Sequence, residues 1–210
     1  MQATRTANAG VLLELDGTKI LLDGVSREVL SYPATPEAIK IQLSEMDFDL
    51  VAVTHCHEDH SDPAFEEEYE RKSGKSVLRT VGTVKAGNVT VTAVATRHIG
   101  KVDCDHVSFV IEGSRCIWFT GDASPSQFKG MNLPKPDVLI CPFAFATTES
   151  AWRLTQEFGV KTVILLHLPE REKDSFGLWQ AVETVISGCK NPKLWIPQIG
   201  EKVEIDKFII

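Results

Sequence analysis

The run Thr54-His55-Cys56-His57-Glu58-Asp59-His60 sets four strong metal-binding side chains within six residues, directly after the apolar stretch Leu50-Val51-Ala52-Val53. Imidazole and carboxylate donors together suit zinc, manganese or iron. His55 and His57 stand two apart, and Asp59 and His60 follow at once. A loop leaving a strand can therefore turn the first pair toward one cation and the second pair toward another. The chain has six histidines, and three of them fall here, which sets this run apart from an ordinary polar surface loop. Glu58, between two inward-pointing ligands, is expected to face solvent or to support them, and Cys56 is expected to be a packing residue.

Further donors follow other apolar runs. His98 comes after Val89–Ala95, Asp122 after Ile117-Trp118-Phe119-Thr120-Gly121, and His167 after Val163-Ile164-Leu165-Leu166. Ligands at strand ends can converge on one edge of a sheet. Gly121 leaves the backbone free to turn tightly, and the Asp122 carboxylate has two oxygens that can bridge two cations. These positions give His55, His57 and His98 for a first metal, Asp59, His60 and His167 for a second, and Asp122 shared. His106 has no slot in this set; it is expected to be structural, with substrate contact as the alternative.

The elements that must position these donors are readable around them. Residues 10–15 and 19–22 read as two strands joined by the Asp16-Gly17 hairpin turn, with Asp23 at a strand end. Thr35 as N-cap and Pro36 at the first helical position predict a helix burying Ile39, Leu43 and Met46. Asp62-Pro63 opens another helix with Phe65 and Tyr69 on one face and Gly74 as its stop. Strands are expected at 88–94, 106–111, 116–120, 138–140 and 162–166. Helices are expected at 148–158, with Ala151, Leu154 and Phe158 inward, and at 175–187, with Leu178, Val182, Val185 and Ile186 inward. Strands cluster early in each half and helices alternate afterward, which fits a pair of mixed sheets covered by helices. The length suits one domain over residues 1–210.

At this point the chain resembles the metallo-β-lactamase superfamily. Its HxHxDH signature stands as His55-Cys56-His57-Glu58-Asp59-His60, and the later His, Asp and His match His98, Asp122 and His167 in order. The resemblance spans roughly residues 10–170. It implies an α/β (α+β) fold, a four-layer αββα sandwich of two mixed sheets with a dinuclear metal site at one edge. It also implies that Asp23 orients the signature loop by hydrogen bonding behind the ligands, and that Asp59 orients or deprotonates the attacking water. Two divalent ions, Zn2+ foremost with Mn2+ or Fe as alternatives, would serve a hydrolase acting on an ester, lactone or phosphoester bond of a small molecule. The run from Val110 through Gly121-Asp122-Ala123-Ser124 resembles the branch that includes ascorbate-phosphate lactonase-like proteins. Ala123-Ser124 departs from the Thr common there, and the short segment between His60 and His98 would leave the pocket more open. An iron-dependent oxidoreductase on the same scaffold, or a metal-binding module without turnover, are the alternative functions; flavodiiron forms carry Glu where this chain has His57.

Composition narrows the partners. A formal charge of −7 disfavours a broad phosphate-binding surface, so nucleic acid is not expected. No run approaches the roughly 20 apolar residues that span a bilayer, and the start of the chain shows no secretory signal, so a cytoplasmic, membrane-free protein is expected. The five cysteines form no CxxC pair and read as reduced thiols, most of them buried. For substrate contact the positions singled out are Arg97, beside His98, together with Phe143 and Phe145; for the two phenylalanines and Trp152, core packing is the competing assignment.

Overall fold

The computed structural model describes residues 1–100, 102–187 and 192–205. Numbered in chain order, β1 (Gln2–Arg5), β2 (Val11–Leu15), β3 (Thr18–Leu22), β4 (Leu50–Ala52) and β12 (Lys202–Glu204) form one sheet in the order β12-β1-β2-β3-β4. A second sheet has the order β11-β10-β9-β8-β7-β6-β5. It consists of β5 (Gly82–Ala86), β6 (Val89–Thr96), β7 (His106–Glu112), β8 (Cys116–Phe119), β9 (Val138–Pro142), β10 (Thr162–Leu166) and β11 (Lys193–Trp195). Both sheets are mixed: β3 runs parallel to β4, and β8 through β11 are parallel, while the remaining pairs are antiparallel.

The strand residues alternate between two cores, as the two-residue period of a strand requires. Leu13, Leu15, Ile20, Leu22, Phe109, Ile111, Ile117 and Phe119 point between the sheets into one apolar cluster. Their neighbours Leu12 and Leu21 face α1 (Glu37–Ser44) and α2 (Pro63–Ser73), whereas Val110 and Trp118 face α3 (Glu149–Glu157) and α4 (Leu178–Ile186). The order of layers is helix, sheet, sheet, helix, the expected αββα sandwich. Each wholly buried Leu, Ile or Phe adds about 1.5–3 kcal/mol of hydrophobic stabilisation, so the inter-sheet layer anchors the two strand sets against each other. No helix of the described residues is long and apolar enough to cross a membrane.

Local signals explain most boundaries. Asp16 (φ 52°) and Gly17 (φ 77°) are both left-handed, the conformation a two-residue hairpin between β2 and β3 requires. The Asp62 carboxylate accepts from the backbone N–H groups of Ala64 and Phe65, and Gly74 ends α2 at φ 66°. Asp174 does similar work for α4, accepting from the N–H groups of Leu178 and Trp179.

Other expectations need correction. Thr35 does not cap α1, because its hydroxyl accepts the Ser26 N–H and so closes the preceding loop; the helix starts after Pro36 without a side-chain cap. In α3 the buried residues are Trp152 and Thr155, not Ala151 and Leu154. The Thr155 hydroxyl bonds the carbonyls of Phe145 and Ala151, which is what lets a polar residue take the inward position. Of the described cysteines only Cys141 is buried, and Cys189 lies outside the described residues. Cys56 is exposed because its two neighbouring histidines turn inward and an extended loop sends it the other way. Strands β1, β11 and β12 span only three or four residues, and the edge strand β5 buries only Ala86, so their own residues carry too little periodicity to announce them.

Candidate metal centre

Five co-directed strands deliver the predicted donors to one edge of the sandwich. β3 ends at Asp23 and β4 feeds the loop 53–62, while β6, β8 and β10 lead to His98, Asp122 and His167. The two sheets are tied at this edge by the Val107 N–H donating to the Thr54 carbonyl at 3.0 Å. Ile99 N–H reaches the Asp122 carbonyl at 2.7 Å, joining the ends of β6 and β8. Gly121 is required here on two counts: its φ is +51°, and a Cβ would lie 2.7 Å from Thr54.

All seven predicted metal-set residues come together. Ligand atoms of His55, His57 and His98 lie within 4.8 Å of one another, as do those of Asp59, His60 and His167, and those of His55, His60 and Asp122. Asp122 stands between the sets: Oδ2 is 3.3 Å from His98 Nε2 and 3.3 Å from His167 Nε2, while Oδ1 is 3.3 Å from His60 Nε2. Asp59 Oδ2 lies 3.0 Å from His167 Nε2. His167 itself is held in the left-handed region at φ 62°, a conformation a non-glycine residue keeps only where its surroundings enforce it. Its N–H donates to the Asn8 carbonyl, and that loop is gripped by the buried Arg5 guanidinium, which bonds the carbonyls of Ala7, Asn8 and Pro197.

The outward nitrogens of three histidines are spoken for. His60 Nδ1 meets Asp23 Oδ2 at 2.8 Å, and the same oxygen accepts the Thr54 hydroxyl at 2.7 Å. His55 Nδ1 lies 3.0 Å from that hydroxyl, and His98 Nδ1 donates to the Ile99 carbonyl at 2.6 Å. Each bond places the ring proton on Nδ1 and turns the Nε2 lone pair toward the cluster. Asp23, wholly buried at φ 46°, thus stands behind His60 directly and behind His55 through Thr54.

The chemistry of this set fits a cation. His60 Nε2, His167 Nε2 and Asp122 Oδ1 are buried within a few ångströms of one another with no hydrogen bond of good geometry, an arrangement that is costly unless something positive lies among them. Burial alone would lower His60 and His167, but the charges of Asp122, with Asp23 for one and Asp59 for the other, hold both up at about 10. Burial conversely pushes Asp122 up, and His167 and His60 outweigh it, leaving its pKa well below the ordinary value. The carboxylates therefore demand positive charge at this point, and a divalent ion meets the demand that ring protons otherwise meet. On the other side, burial lowers His55 and His57, keeping them neutral, the form in which imidazole ligates metal.

The remaining predicted residues are distributed differently. Phe145 is fully buried in the cluster that also holds Trp152 and Phe128, so it belongs to the outer core and is closed to substrate. Phe143 is partly buried with its ring 5.8 Å from that of His167. Arg97 is exposed, its backbone bracketed by the Gln127 amide. Glu58 faces solvent and pairs with Arg27 at 3.1 Å. Sequence reasoning missed Tyr32, whose ring stands edge-on to His167 with centroids 4.5 Å apart; nothing in its neighbourhood in sequence marks it. A cavity of about 870 Å³ opens beside His55 and is lined also by Arg79, Val81, Cys104 and His106. A second, of about 620 Å³ between α1 and α2, contains none of the seven donors.

Residues 4–167 match the β-lactamase superfamily domain. The chain belongs to that family. No curated protein sequence matches it. Among solved structures, the fold is similar to that of Igni18, a metallo hydrolase from Ignicoccus hospitalis, at TM-score 0.67 and 20% identity over 96% of this chain and 97% of that one. It is also similar to the metallo-β-lactamase fold protein YhfI from Bacillus subtilis, at TM-score 0.63 and 17% identity, covering 97% and 99% of the two chains. CmlA, a diiron β-hydroxylase from Streptomyces venezuelae, shares the fold at TM-score 0.63 and 13% identity; the match covers 97% of this chain and 54% of CmlA. Metal-dependent hydrolases are thus among the structural neighbours, and they share the arrangement of two mixed sheets.

Proposed function

We propose that this protein is a metal-dependent hydrolase with a dinuclear centre, cleaving an ester, lactone or phosphoester bond of a small molecule. The observation that carries this reading is the position of Asp122, whose two oxygens lie 3.3 Å from histidines of both three-residue sets. His55, His57 and His98 would hold one divalent ion, Asp59, His60 and His167 the other, with Asp122 common to both. Zinc is the first choice for this donor set, with manganese or iron as alternatives. Two such ions, when bound, lower the pKa of a shared water toward neutrality and polarise the scissile group.

The chain's own residues do the rest. Asp59 orients the attacking water and takes its proton, Asp23 fixes His60 and His55, and His106 holds the turn that carries Asp122. Phe143 offers the substrate an apolar wall next to His167. Arg97, exposed next to His98, is the cationic contact offered to an anionic substrate. The run from Val110 to Ser124, which folds as β7, β8 and the Asp122 turn, supports a place near the ascorbate-phosphate lactonase-like branch. The acidic charge balance supports a small-molecule substrate over nucleic acid, and the whole is read as one domain over residues 1–210, cytoplasmic and independent of membranes.

Elemental analysis of protein purified without added metal or chelator tests this first. About two equivalents of zinc or manganese per chain, followed by turnover on an ester, lactone or phosphodiester panel, is the expected result. Two of iron with a redox-active spectrum would replace the hydrolase by an oxidoreductase. Full metallation with no turnover would leave a metal-binding module.

A further inference from the structure

Tyr32 stands next to the metal-ligand cluster without belonging to it. Its ring meets His167 edge-on, with an interplanar angle of 79°, and it is half-buried. The loop 24–35 that carries it is fastened at three levels. Thr35 N–H donates to the Ser26 carbonyl while the Thr35 hydroxyl accepts from Ser26 N–H. Arg27 N–H donates to the Glu58 carbonyl at 2.7 Å, and its guanidinium pairs with the Glu58 carboxylate, which ties the loop to the signature segment. At the tip, Val29 and Tyr32 exchange both backbone bonds, and Leu30 takes a left-handed φ of 49° to close the turn. Tyr32 is thus presented by a fixed arm, which lowers the ordering cost of any contact it makes.

Among the described residues none hydrogen-bonds the Tyr32 hydroxyl. A phenol keeps its proton at neutral pH, so the hydroxyl is available as a hydrogen-bond donor. A half-buried donor on a ring packed against His167, with no hydrogen-bond partner among the described residues, is placed for a ligand oxygen.

We propose that the Tyr32 hydroxyl donates a hydrogen bond to the substrate oxygen that gains negative charge during hydrolysis, which makes Tyr32 a catalytic residue. The inference rests on the hydrolase reading above. In that reaction the water oxygen bonds to the carbonyl or phosphoryl centre and its proton passes to Asp59. Electron density shifts onto the substrate oxygen, where Tyr32 stabilises it without giving up its proton. The density returns as the bond to the leaving oxygen breaks, and that oxygen takes the proton held by Asp59.

The test is calorimetric titration of inorganic phosphate, a tetrahedral oxyanion, into zinc-loaded wild type and Tyr32→Phe, which keeps the ring against His167. With equal zinc content in both, phosphate should bind at least about 10-fold more weakly to the variant, the effect of one hydrogen bond to a charged group. On any substrate the wild type turns over, kcat should fall by at least about 10-fold while KM changes little. Equal phosphate affinity in the two proteins, or no phosphate binding by the wild type, overturns the proposal. Tyr32-dependent phosphate binding by a metallated wild type that hydrolyses nothing keeps the donor and removes the hydrolase.

Discussion

The buried imidazole of His106 accepts the backbone N–H of Asp122 through Nε2 at 3.0 Å. Its Nδ1 lies 2.8 Å from the Thr96 hydroxyl, which lies 2.9 Å from the Ser108 hydroxyl, which donates to the Thr120 carbonyl at 2.8 Å. Only a neutral ring with its proton on Nδ1 satisfies every member of this chain. Burial accordingly lowers His106 to about 4, against the opposing charge of Asp122. His106 is a positioning residue: it holds from behind the turn whose carboxylate stands between the two donor sets.

Replacing it should therefore loosen Asp122 without touching a ligand. His106→Phe leaves the Asp122 N–H buried and unpaired, and a loss of about 1–3 kcal/mol in urea unfolding is expected. Metal content after dialysis should fall with it. A variant as stable and as metal-rich as wild type would show that another acceptor replaces the ring.

Asp23→Asn tests the support behind His60. An amide nitrogen at the Oδ2 position would face the Nδ1 proton of His60 and the Thr54 hydroxyl, both of which now donate to that oxygen. Affinity for the second metal should drop by roughly 10–100-fold, as loss of such outer partners typically does. Competition with a chromophoric chelator reads this directly, and two unchanged binding steps would count against it.

Asp59→Ala tests the proton-accepting role. Turnover should fall further than substrate binding, so kcat drops while KM changes little. Elemental analysis must accompany the kinetics, because Asp59 also faces His167 at 3.0 Å. Wild-type turnover with both metals bound would refute the role assigned to Asp59.

The loop after the signature is held by Asp62, which caps α2 and pairs with Lys40. Burial raises its pKa, but Lys40 and the Phe65 and Ala64 N–H groups more than offset this, so the folded value lies below the ordinary 3.8. A depressed acid contributes stability above the unfolded value and loses it as pH falls through the folded one. Asp62→Ala should cost about 1–2 kcal/mol at neutral pH. The gap to wild type should close as unfolding is repeated at successively lower pH, below the ordinary aspartate range; a gap independent of pH would mean the carboxylate charge is not what holds the helix.

The legible parts of the molecule are those encoded locally. Apolar runs in β4, β8 and β10 announce strands, and a donor placed just past each run can be assigned to a strand end before any contact is known. The Asp16-Gly17 turn and the Asp62-Pro63 start with its Gly74 stop were readable for the same reason, since each satisfies its own backbone within a few residues.

Tertiary packing decided what depends on segments remote in the chain. Phe143 and Phe145 are two residues apart and chemically identical, yet one stands near His167 and the other lies wholly in the outer core, because the short helical turn that carries them rotates them to different sides. Thr35 had the right residue type for a cap and was taken instead by Ser26. His106 and Tyr32 acquire their partners only when β7 and the loop after β3 close over Asp122 and His167. By itself, then, the sequence determined the donor types, their order and the sandwich that gathers them, because strand periodicity and side-chain chemistry are local properties. Which oxygen faces which histidine, and which residues stand behind or over the cluster, was decided by packing two sheets against each other, a condition that no single segment contains.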